Sequence, residues 1–264
     1  MRTDFETLRL DRIEDHILVV TLNRPERANA MNTQMGLDLR DLWRDLYVDQ
    51  EDVRCVILTG AGEKAFCAGG DLKDRDGMTD AQWLHQHAIF EQAVTTMLDV
   101  PPPIIAAVNG VAYGGGCEFI LLADFAYGAT NARLALTEVT LGIMPGACAT
   151  QMLPRAVGIR RAKEFLLTGA PCSAAEALEW GILNKVCEPA DLMNEALATA
   201  RKICANAPIS IRQAKKSLNV ATQVDIRNGY MFELEAYNRM VPTEDRLEGI
   251  RAFNEKRKPV YRGK

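Results

Sequence analysis

The sequence predicts an α/β fold that is followed by a helical C-terminal region, and two patterns carry this prediction. In the first half, short apolar runs typical of buried strands alternate with amphipathic segments at helical spacing, as in layered α/β proteins. After Pro145 the strand pattern nearly disappears and helical segments follow one another. No linker, low-complexity run or sharp internal repeat separates these parts.

The first elements form a predicted strand, helix and strand unit. Two β-prone runs, Phe5 to Leu10 and Ile17 to Leu22, flank the charged turn Asp11 to Asp15 and predict a hairpin. Asn32 is placed to cap the following helix. The apolar residues of that helix recur at helical spacing, at Met35, Leu39, Leu42, Trp43 and Leu46. The next run, Val53 to Leu58, is apolar on both faces, as a buried parallel strand is.

The second unit repeats this order and leads into the helical region. An amphipathic helix from about Asp80 to Leu98 precedes the buried strand Ile104 to Val108. Beyond Pro145, only Leu183 to Cys187 is predicted as a strand. Helices are predicted at about Gly146 to Val157, Arg160 to Leu167, Ala174 to Trp180, Leu192 to Ala205, Ile209 to Val220, Ile226 to Met240 and Thr243 to Lys256. The apolar positions on these helices suit subunit contacts.

Composition excludes several classes of protein. With 264 residues, 48% hydrophobic and 25% charged, the chain has globular proportions rather than those of a disordered or fibrous protein. A net charge of -4 argues against a nucleic-acid partner bound through overall basicity. Seven basic and three acidic residues from Asp245 to Lys264 nevertheless give that segment a net charge of +4. This tail is either a solvated helical face or a patch that faces a phosphorylated ligand.

Cysteine usage and hydropathy bear on the compartment. The seven cysteines are scattered, without a CxxC pair, which indicates a reducing environment. No apolar run reaches the ~20 residues that a bilayer-spanning helix needs. The first residues lack the apolar stretch of a signal peptide and the acid-poor character of a transit peptide. We therefore expect a cytoplasmic protein without a membrane partner.

Two glycine clusters are the most informative motifs. Gly114-Gly115-Gly116 follows a buried strand and opens an apolar helix, and Gly69-Gly70 lies in the segment KAFCAGGDLK. Unpaired N–H groups at such positions suit an anion or a developing oxyanion. The competing interpretation is that the glycines only allow a strand and a helix to cross closely.

Two isolated carboxylates accompany these clusters. Glu118 lies two residues beyond Gly116 in an otherwise apolar helix, and Glu138 is again a lone charge in an uncharged stretch. Burial and mutual repulsion raise the pKa of at least one member of such a pair towards neutrality, as acid/base catalysis requires. Taken alone, Glu118 is better explained as a charge that complements the helix dipole, and the second carboxylate changes that balance.

Other chemistries are poorly supported. The segment VILTGAGEKA has only a formal likeness to a dinucleotide-binding fingerprint, because charged residues follow where an apolar helix is needed. His85 and His87 point to different faces of a helix and make a poor metal pair. Cys67 and Cys117 are better explained as small core residues than as nucleophiles. We expect neither a metal nor a permanently bound cofactor.

Taken together, the motifs resemble those of the enoyl-CoA hydratase/isomerase (crotonase) family over nearly the whole chain. They are Asn23-Arg24-Pro25-Glu26, Asn29-Ala30-Met31-Asn32, Phe66 to Lys73, Val108-Asn109-Gly110, Gly114 to Glu118, Glu138 with Leu141-Gly142, Pro145-Gly146-Ala147, and Ala252 to Lys258. The resemblance implies a spiral of repeated ββα units over residues 1–195. It also implies a C-terminal helical trimerisation region over residues 196–264, and a homotrimer or homohexamer.

The resemblance also implies a site and an activity. The N–H groups of Gly70 and Gly115 would hold a thioester oxygen, and Glu118 and Glu138 would be the catalytic pair of an enoyl-CoA hydratase, with coenzyme A as part of the substrate. The implied CoA contacts are Ala28, Ala30, Ala68, Gly70, Asp71, Leu72, Lys73, Gly115, Phe253 and Lys256. A double-bond isomerase and a non-catalytic binding protein on the same fold are the alternatives.

The chain departs from the family pattern next to the site. After Pro145-Gly146-Ala147 the family usually continues with two glycines and Thr-Gln-Arg, whereas this chain has Cys148-Ala149-Thr150-Gln151-Met152. Thr137 stands where proline is common. These side chains predict a reshaped acyl pocket with the glutamate pair intact.

Overall fold

The structure, a computed structural model, describes residues 2–50 and 52–264. Its strands are β1 (Leu8–Ile13), β2 (Ile17–Leu22), β3 (Cys55–Gly60), β4 (Ala65–Cys67), β5 (Ile104–Val108), β6 (Val111–Tyr113), β7 (Phe125–Ala129), β8 (Arg133–Ala135), β9 (Cys172–Ser173) and β10 (Lys185–Cys187). Its α-helices are α1 (Thr33–Val48), α2 (Leu72–Arg75), α3 (Asp80–Asp99), α4 (Gly115–Leu122), α5 (Ala149–Val157), α6 (Ile159–Thr168), α7 (Ala174–Trp180), α8 (Leu192–Cys204), α9 (Pro208–Ala221), α10 (Ile226–Asn238) and α11 (Glu244–Asn254). Two short 3-10 helices span Pro25–Arg27 and Glu138–Leu141.

The strands form two sheets, and successive strands along the chain alternate between them from β3 to β8. The larger sheet has the order β1-β2-β3-β5-β7-β10, and the smaller has the order β4-β6-β8-β9. Neighbouring strands are parallel except in the pairs β1 with β2 and β8 with β9. The chain thus places β3, β5 and β7 in the larger sheet and sends the next strand of each into the smaller sheet. Helices follow the first two of these pairs, so the predicted spiral of ββα units is confirmed.

The central strands β2, β3 and β5 of the larger sheet are buried on both faces, as the apolar run Val53 to Leu58 predicts for β3. Val56 and Leu58 pack into the main core with helix α1, whereas Cys55 and Ile57 pack against helix α8 on the opposite face. Alternation of this kind follows from the two-residue period of a strand. The centre of the sheet is therefore covered on both sides, and the loops project from the strand ends.

The hairpin and the first helix are found where the sequence predicts them, with one correction. Asn32 Oδ1 accepts a 3.0 Å hydrogen bond from Met35 N, which confirms the cap of α1. The predicted turn Asp11 to Asp15 is too long, because β1 stays paired with β2 up to Ile13. Glu14 then turns with a positive φ of 57°, so a tight turn suffices.

The short strands of the smaller sheet are what the sequence pattern misses. The prediction of Leu183 to Cys187 as the only strand after Pro145 is wrong, since Cys172–Ser173 pairs with β8. A strand of two or three residues is too short to show a two-residue period. The predicted C-terminal helices are all present, although α5 begins at Ala149 rather than Gly146.

Two further expectations concern boundaries and membranes. The predicted division between residues 195 and 196 falls inside helix α8, and the division into two regions stays a prediction. Within the ranges that the structure describes, no helix is long and apolar enough to cross a membrane. The cytoplasmic location stays a prediction.

Candidate active site

One cavity of about 560 Å³ brings the predicted catalytic residues together. Its wall contains Gly70 from the loop after β4, Gly115 and Glu118 from the first turn of α4, and Glu138 from the start of a 3-10 helix. Helix α3 closes the opposite side. Residues far apart in the chain meet here because β4, β6 and β8 are neighbours in the smaller sheet, and their carboxyl ends lie at one edge.

The main-chain N–H groups of Gly70 and Gly115 are free to bind a ligand. Gly70 pairs with Met31 through its neighbours, since Gly69 O accepts from Met31 N at 2.7 Å and Asp71 N donates to Met31 O at 2.8 Å. The N–H of Gly70 itself therefore points away from Met31. Gly115 is the first residue of α4, where an N–H has no partner within the helix. Neither N–H has a main-chain acceptor in the described ranges.

Close packing explains why glycines stand at these positions. A Cβ built on Gly116 would lie 2.0 Å from Cys67 O, and one on Gly115 would lie 2.3 Å from Met31 Cε. Gly69 has a φ of +91°, which L side chains rarely adopt. Both interpretations of the clusters thus hold: Gly116 allows a close crossing, and Gly115 combines close packing with an unpaired donor.

Glu118 is held by the loop that precedes α5. Its side chain is buried, and Oε1 accepts hydrogen bonds from Ala147 N at 2.7 Å and Ala149 N at 3.1 Å. Cys148 lies between these donors with a φ of +79°, which turns both N–H groups towards one oxygen. Burial is the main cause that raises the pKa of Glu118 to about 7, and the charge of Glu138 adds to it. The Glu118 carboxylate therefore forms part of the cavity wall and does more than complement the helix dipole.

Glu138 is the second buried carboxylate of the cavity. A Cβ built on Gly114 would lie 3.2 Å from Glu138 Oε1, so this carboxylate lies against the start of α4. Its Oε2 is buried and has no hydrogen-bond partner among the described residues. Burial raises the pKa of Glu138. An unsatisfied buried oxygen in a cavity points to a partner that a ligand or water supplies.

The predicted CoA contacts divide into three groups. Ala68, Gly70, Leu72 and Gly115 line the cavity. A second group lies next to lining residues in the sequence but does not line the cavity: Ala28, Ala30, Asp71 and Lys73. Ala28 O accepts a 3.0 Å hydrogen bond from Ala68 N. The Asp71 carboxylate forms an ion pair with Arg24 at 3.0 Å. Phe253 and Lys256 lie at the end of the chain, outside the cavity, and Phe253 is 84% exposed.

Sequence reasoning gave Asn29 only as part of a family motif and missed its role in fixing the loops around the cavity. Asn29 is fully buried and donates to Ala61 O at 3.0 Å and Ala65 O at 2.9 Å, which ties the loop before α1 to the end of β3. It also missed Arg75 and Trp83, which line the cavity from α2 and α3. The available signal was the asparagine itself, because asparagine is enriched at positive φ, and Asn29 has a φ of 54°.

The alternative chemistries find no geometric support. Within the described ranges, no cluster of His, Cys, Asp and Glu could hold a metal ion. Cys67 and Cys117 are buried, and burial raises the pKa of both thiols, to about 12 for Cys67. A thiol with such a pKa supplies almost no thiolate at neutral pH.

Comparison with known proteins agrees with this geometry. A profile described as enoyl-CoA hydratase/isomerase matches residues 12–264. The chain belongs to the enoyl-CoA hydratase/isomerase family. The short-chain-enoyl-CoA hydratase of Clostridium acetobutylicum is 41% identical over 246 residues, which cover 93% of this chain and 94% of that protein. The (E)-benzylidenesuccinyl-CoA hydratase of Thauera aromatica is 38% identical over 254 residues, 95% of this chain and 97% of that protein.

The solved structures give the same family. The crystal structure of an enoyl-CoA hydratase from Bacillus anthracis matches with a TM-score of 0.96 and 42% identity, and the match covers 98% of this chain and all of that one. Of the residues that depart from the usual family pattern, Thr137 lines the cavity, whereas Cys148, Ala149 and Met152 do not. Cys148 and Ala149 belong to the turn that holds Glu118, and the reshaped acyl pocket stays a prediction.

Proposed function

We propose that the chain is an enoyl-CoA hydratase that adds water across the 2,3 double bond of an enoyl-CoA thioester. The single observation that carries this proposal is the presence of two buried carboxylates, Glu118 and Glu138, in one cavity with the unpaired N–H groups of Gly70 and Gly115. The names of the relatives, short-chain-enoyl-CoA hydratase among them, support the same reaction. Coenzyme A is then part of the substrate and not a bound cofactor.

The proposed reaction needs four groups and gives each a role. The thioester oxygen accepts hydrogen bonds from Gly70 N–H and Gly115 N–H, which stabilise the negative charge that develops there. Glu118, in its carboxylate form, takes a proton from water while the water oxygen forms a bond to the β carbon. The electron pair of the double bond moves to the carbonyl oxygen and gives an enolate.

The second proton transfer completes the addition. Glu138, in its protonated form, donates its proton to the α carbon, and the enolate returns to a thioester carbonyl. One proton has then left water for Glu118 and one has passed from Glu138 to the product. Exchange with solvent restores both groups. The pKa of about 7 keeps Glu118 available in both forms near neutral pH.

Purified protein tests the proposal directly. Hydration of crotonyl-CoA, or of a longer 2-enoyl-CoA, should remove the absorbance of the conjugated thioester. A double-bond isomerase would instead convert a 3-enoyl-CoA, and it needs only one base, so the two buried carboxylates favour hydration. A binding protein without activity would turn over neither substrate.

We also propose that the chain forms a homotrimer or homohexamer and that Phe253 and Lys256 contact the nucleotide end of CoA. Large apolar side chains are exposed on α10 and α11, among them Ile226 at 91% and Phe253 at 84%, as surfaces that subunits cover would be. Light scattering on the purified protein measures the assembly.

Lys256→Ala should raise KM for crotonyl-CoA more than KM for a crotonyl thioester of pantetheine, which lacks the nucleotide.

A further inference from the structure

Arg75 is a charged residue of the cavity that the proposed hydration does not use. It ends helix α2 and lines the same cavity as Glu118 and Glu138. Its guanidinium lies beside Gly70, because a Cβ built on Gly70 would be 3.2 Å from Arg75 Cζ and Nη1. The positive charge is thus next to the N–H proposed to hold the thioester oxygen.

Several contacts fix the orientation of this guanidinium. Arg75 Nε donates a 2.8 Å hydrogen bond to Oε1 of the buried Gln86. The amide nitrogen of Gln86 in turn donates to Thr33 Oγ1 at 2.8 Å and to Asp74 Oδ2 at 2.9 Å. The Trp83 ring lies 4.3 Å from Arg75 Cζ and packs against the guanidinium. A group held in this way is preorganised for binding.

The outer nitrogens of Arg75 have no protein partner within the described ranges. Among residues 2–50 and 52–264, no carboxylate forms an ion pair with the guanidinium, and its one hydrogen bond there uses Nε, which leaves Nη1 and Nη2 available. Burial lowers the pKa of Arg75, and the charge of Asp74 opposes this shift.

We infer that Arg75 binds a carboxylate at the far end of the acyl group, so that the preferred substrate is a short 2-enoyl-CoA that carries a second carboxylate. The inference rests on the proposed hydratase function. The two Nη groups match the two oxygens of a carboxylate, which a single ammonium does not. Because the guanidinium is next to Gly70, the carboxylate must be only a few carbons from the thioester. A long acyl chain would carry it past Arg75.

A matched pair of substrates tests this specificity. We would compare kcat/KM for 4-carboxybut-2-enoyl-CoA with kcat/KM for its methyl ester, which has the same chain without the charge. The wild-type protein should prefer the acid. In Arg75→Met the ratio of kcat/KM for the acid to kcat/KM for the ester should fall about 10- to 100-fold, because hydrogen bonds to a charged group contribute a free energy of that size. The ratio in Arg75→Lys should lie between those of the wild type and Arg75→Met, because lysine keeps the positive charge but lacks the planar guanidinium.

A control variant distinguishes the loss of a positive charge in the cavity from the general effect of replacing an arginine that stacks on a tryptophan. Arg161 also stacks on a tryptophan, with its Cζ 4.6 Å from the centre of the Trp180 ring, and it pairs with Glu164 on the surface. Arg161→Met should leave the ratio between acid and ester as in the wild type. If Arg75→Met does not fold, as judged by circular dichroism, the ratio in Arg75→Lys decides.

Binding of unreactive analogues keeps this inference distinguishable from the hydratase proposal. Calorimetry would compare the saturated 4-carboxybutanoyl-CoA with its methyl ester. Preferential binding of the acid that depends on Arg75, without turnover of any enoyl-CoA, would support the carboxylate site and overturn the hydratase proposal. Turnover with no preference for the acid would overturn the carboxylate site alone. Equal losses for acid and ester in Arg75→Met would also overturn it, because the arginine would then bind a group common to both, such as a CoA phosphate.

Discussion

Ala147 N donates a 2.7 Å hydrogen bond to Glu118 Oε1, which joins the first turn of α4 to the loop before α5. The bond matters because it uses one oxygen of a buried carboxylate and fixes its direction. Ala149 N donates to the same oxygen. The second oxygen of Glu118 is then left for the cavity, where Glu138 supplies the other carboxylate.

The first prediction is that the two glutamates act as one unit. Glu118→Gln and Glu138→Gln should each lower kcat for crotonyl-CoA by about 10²- to 10⁴-fold, with a much smaller effect on KM. Both groups act on the same water and substrate, so the double variant should be much less than multiplicatively worse. Glu179→Gln, at an exposed glutamate on α7, is the control and should leave kcat unchanged. Multiplicative losses would show that the two carboxylates work independently.

The second prediction concerns stability and pH. Because the folded pKa of Glu118 is raised from 4.5 to about 7, the folded protein binds a proton more tightly than the unfolded chain does. Its contribution to stability is therefore complete below about pH 4.5 and is lost as pH rises through about 7. The loss is on the order of 3 kcal/mol at 1.36 kcal/mol per pKa unit. The raised pKa of Glu138 acts with the same sign.

Urea unfolding at a fixed protein concentration measures this effect. Glu118→Gln carries no titrating group, so it should gain stability relative to the wild type between pH 5 and pH 8. A difference between Glu118→Gln and the wild type that is the same at both pH values would mean that the raised pKa is absent from the protein in solution.

The sequence predicted the site better than it predicted the sheet that builds it. Glu118 and Glu138 were recognisable as lone charges in apolar segments, and both line the cavity. The smaller sheet was missed because β4, β6 and β8 have three residues each. Arg75 was missed for a different reason. Its environment depends on Gln86 and Trp83, which lie on another helix, and no local pattern encodes such a contact.

The third prediction tests the close approach of Met31 to Gly115. An added Cβ would lie 2.3 Å from Met31 Cε, so Gly115→Ala must displace the end of the methionine side chain. We expect a loss of about 1–3 kcal/mol in stability, as for other overpacked sites. The rate should fall as well, because the Gly115 N–H is displaced. The double variant Gly115→Ala, Met31→Ala removes the clash, so its loss of stability should be smaller than the sum of the single losses. Strictly additive losses would contradict the contact.

The last prediction concerns the residue that turns the loop holding Glu118. Cys148 has a φ of +79° and a ψ of 4°, a left-handed conformation that costs a side-chain-bearing residue about 1–2 kcal/mol. Glycine adopts it freely but loses about 0.4–1 kcal/mol through its more flexible unfolded chain. Cys148→Gly should therefore stabilise the protein by up to about 1 kcal/mol.

Cys148→Ala is the matched control for this change. Alanine also lacks the thiol but keeps a Cβ, so it retains the backbone cost and should give no stabilisation. Both variants should keep the hydrogen bonds from Ala147 N and Ala149 N to Glu118, because neither alters the main chain. Urea unfolding gives the stabilities, and kcat for crotonyl-CoA reports on Glu118. Equal stabilisation by glycine and alanine would assign the effect to the thiol, and the left-handed backbone would then cost the protein nothing.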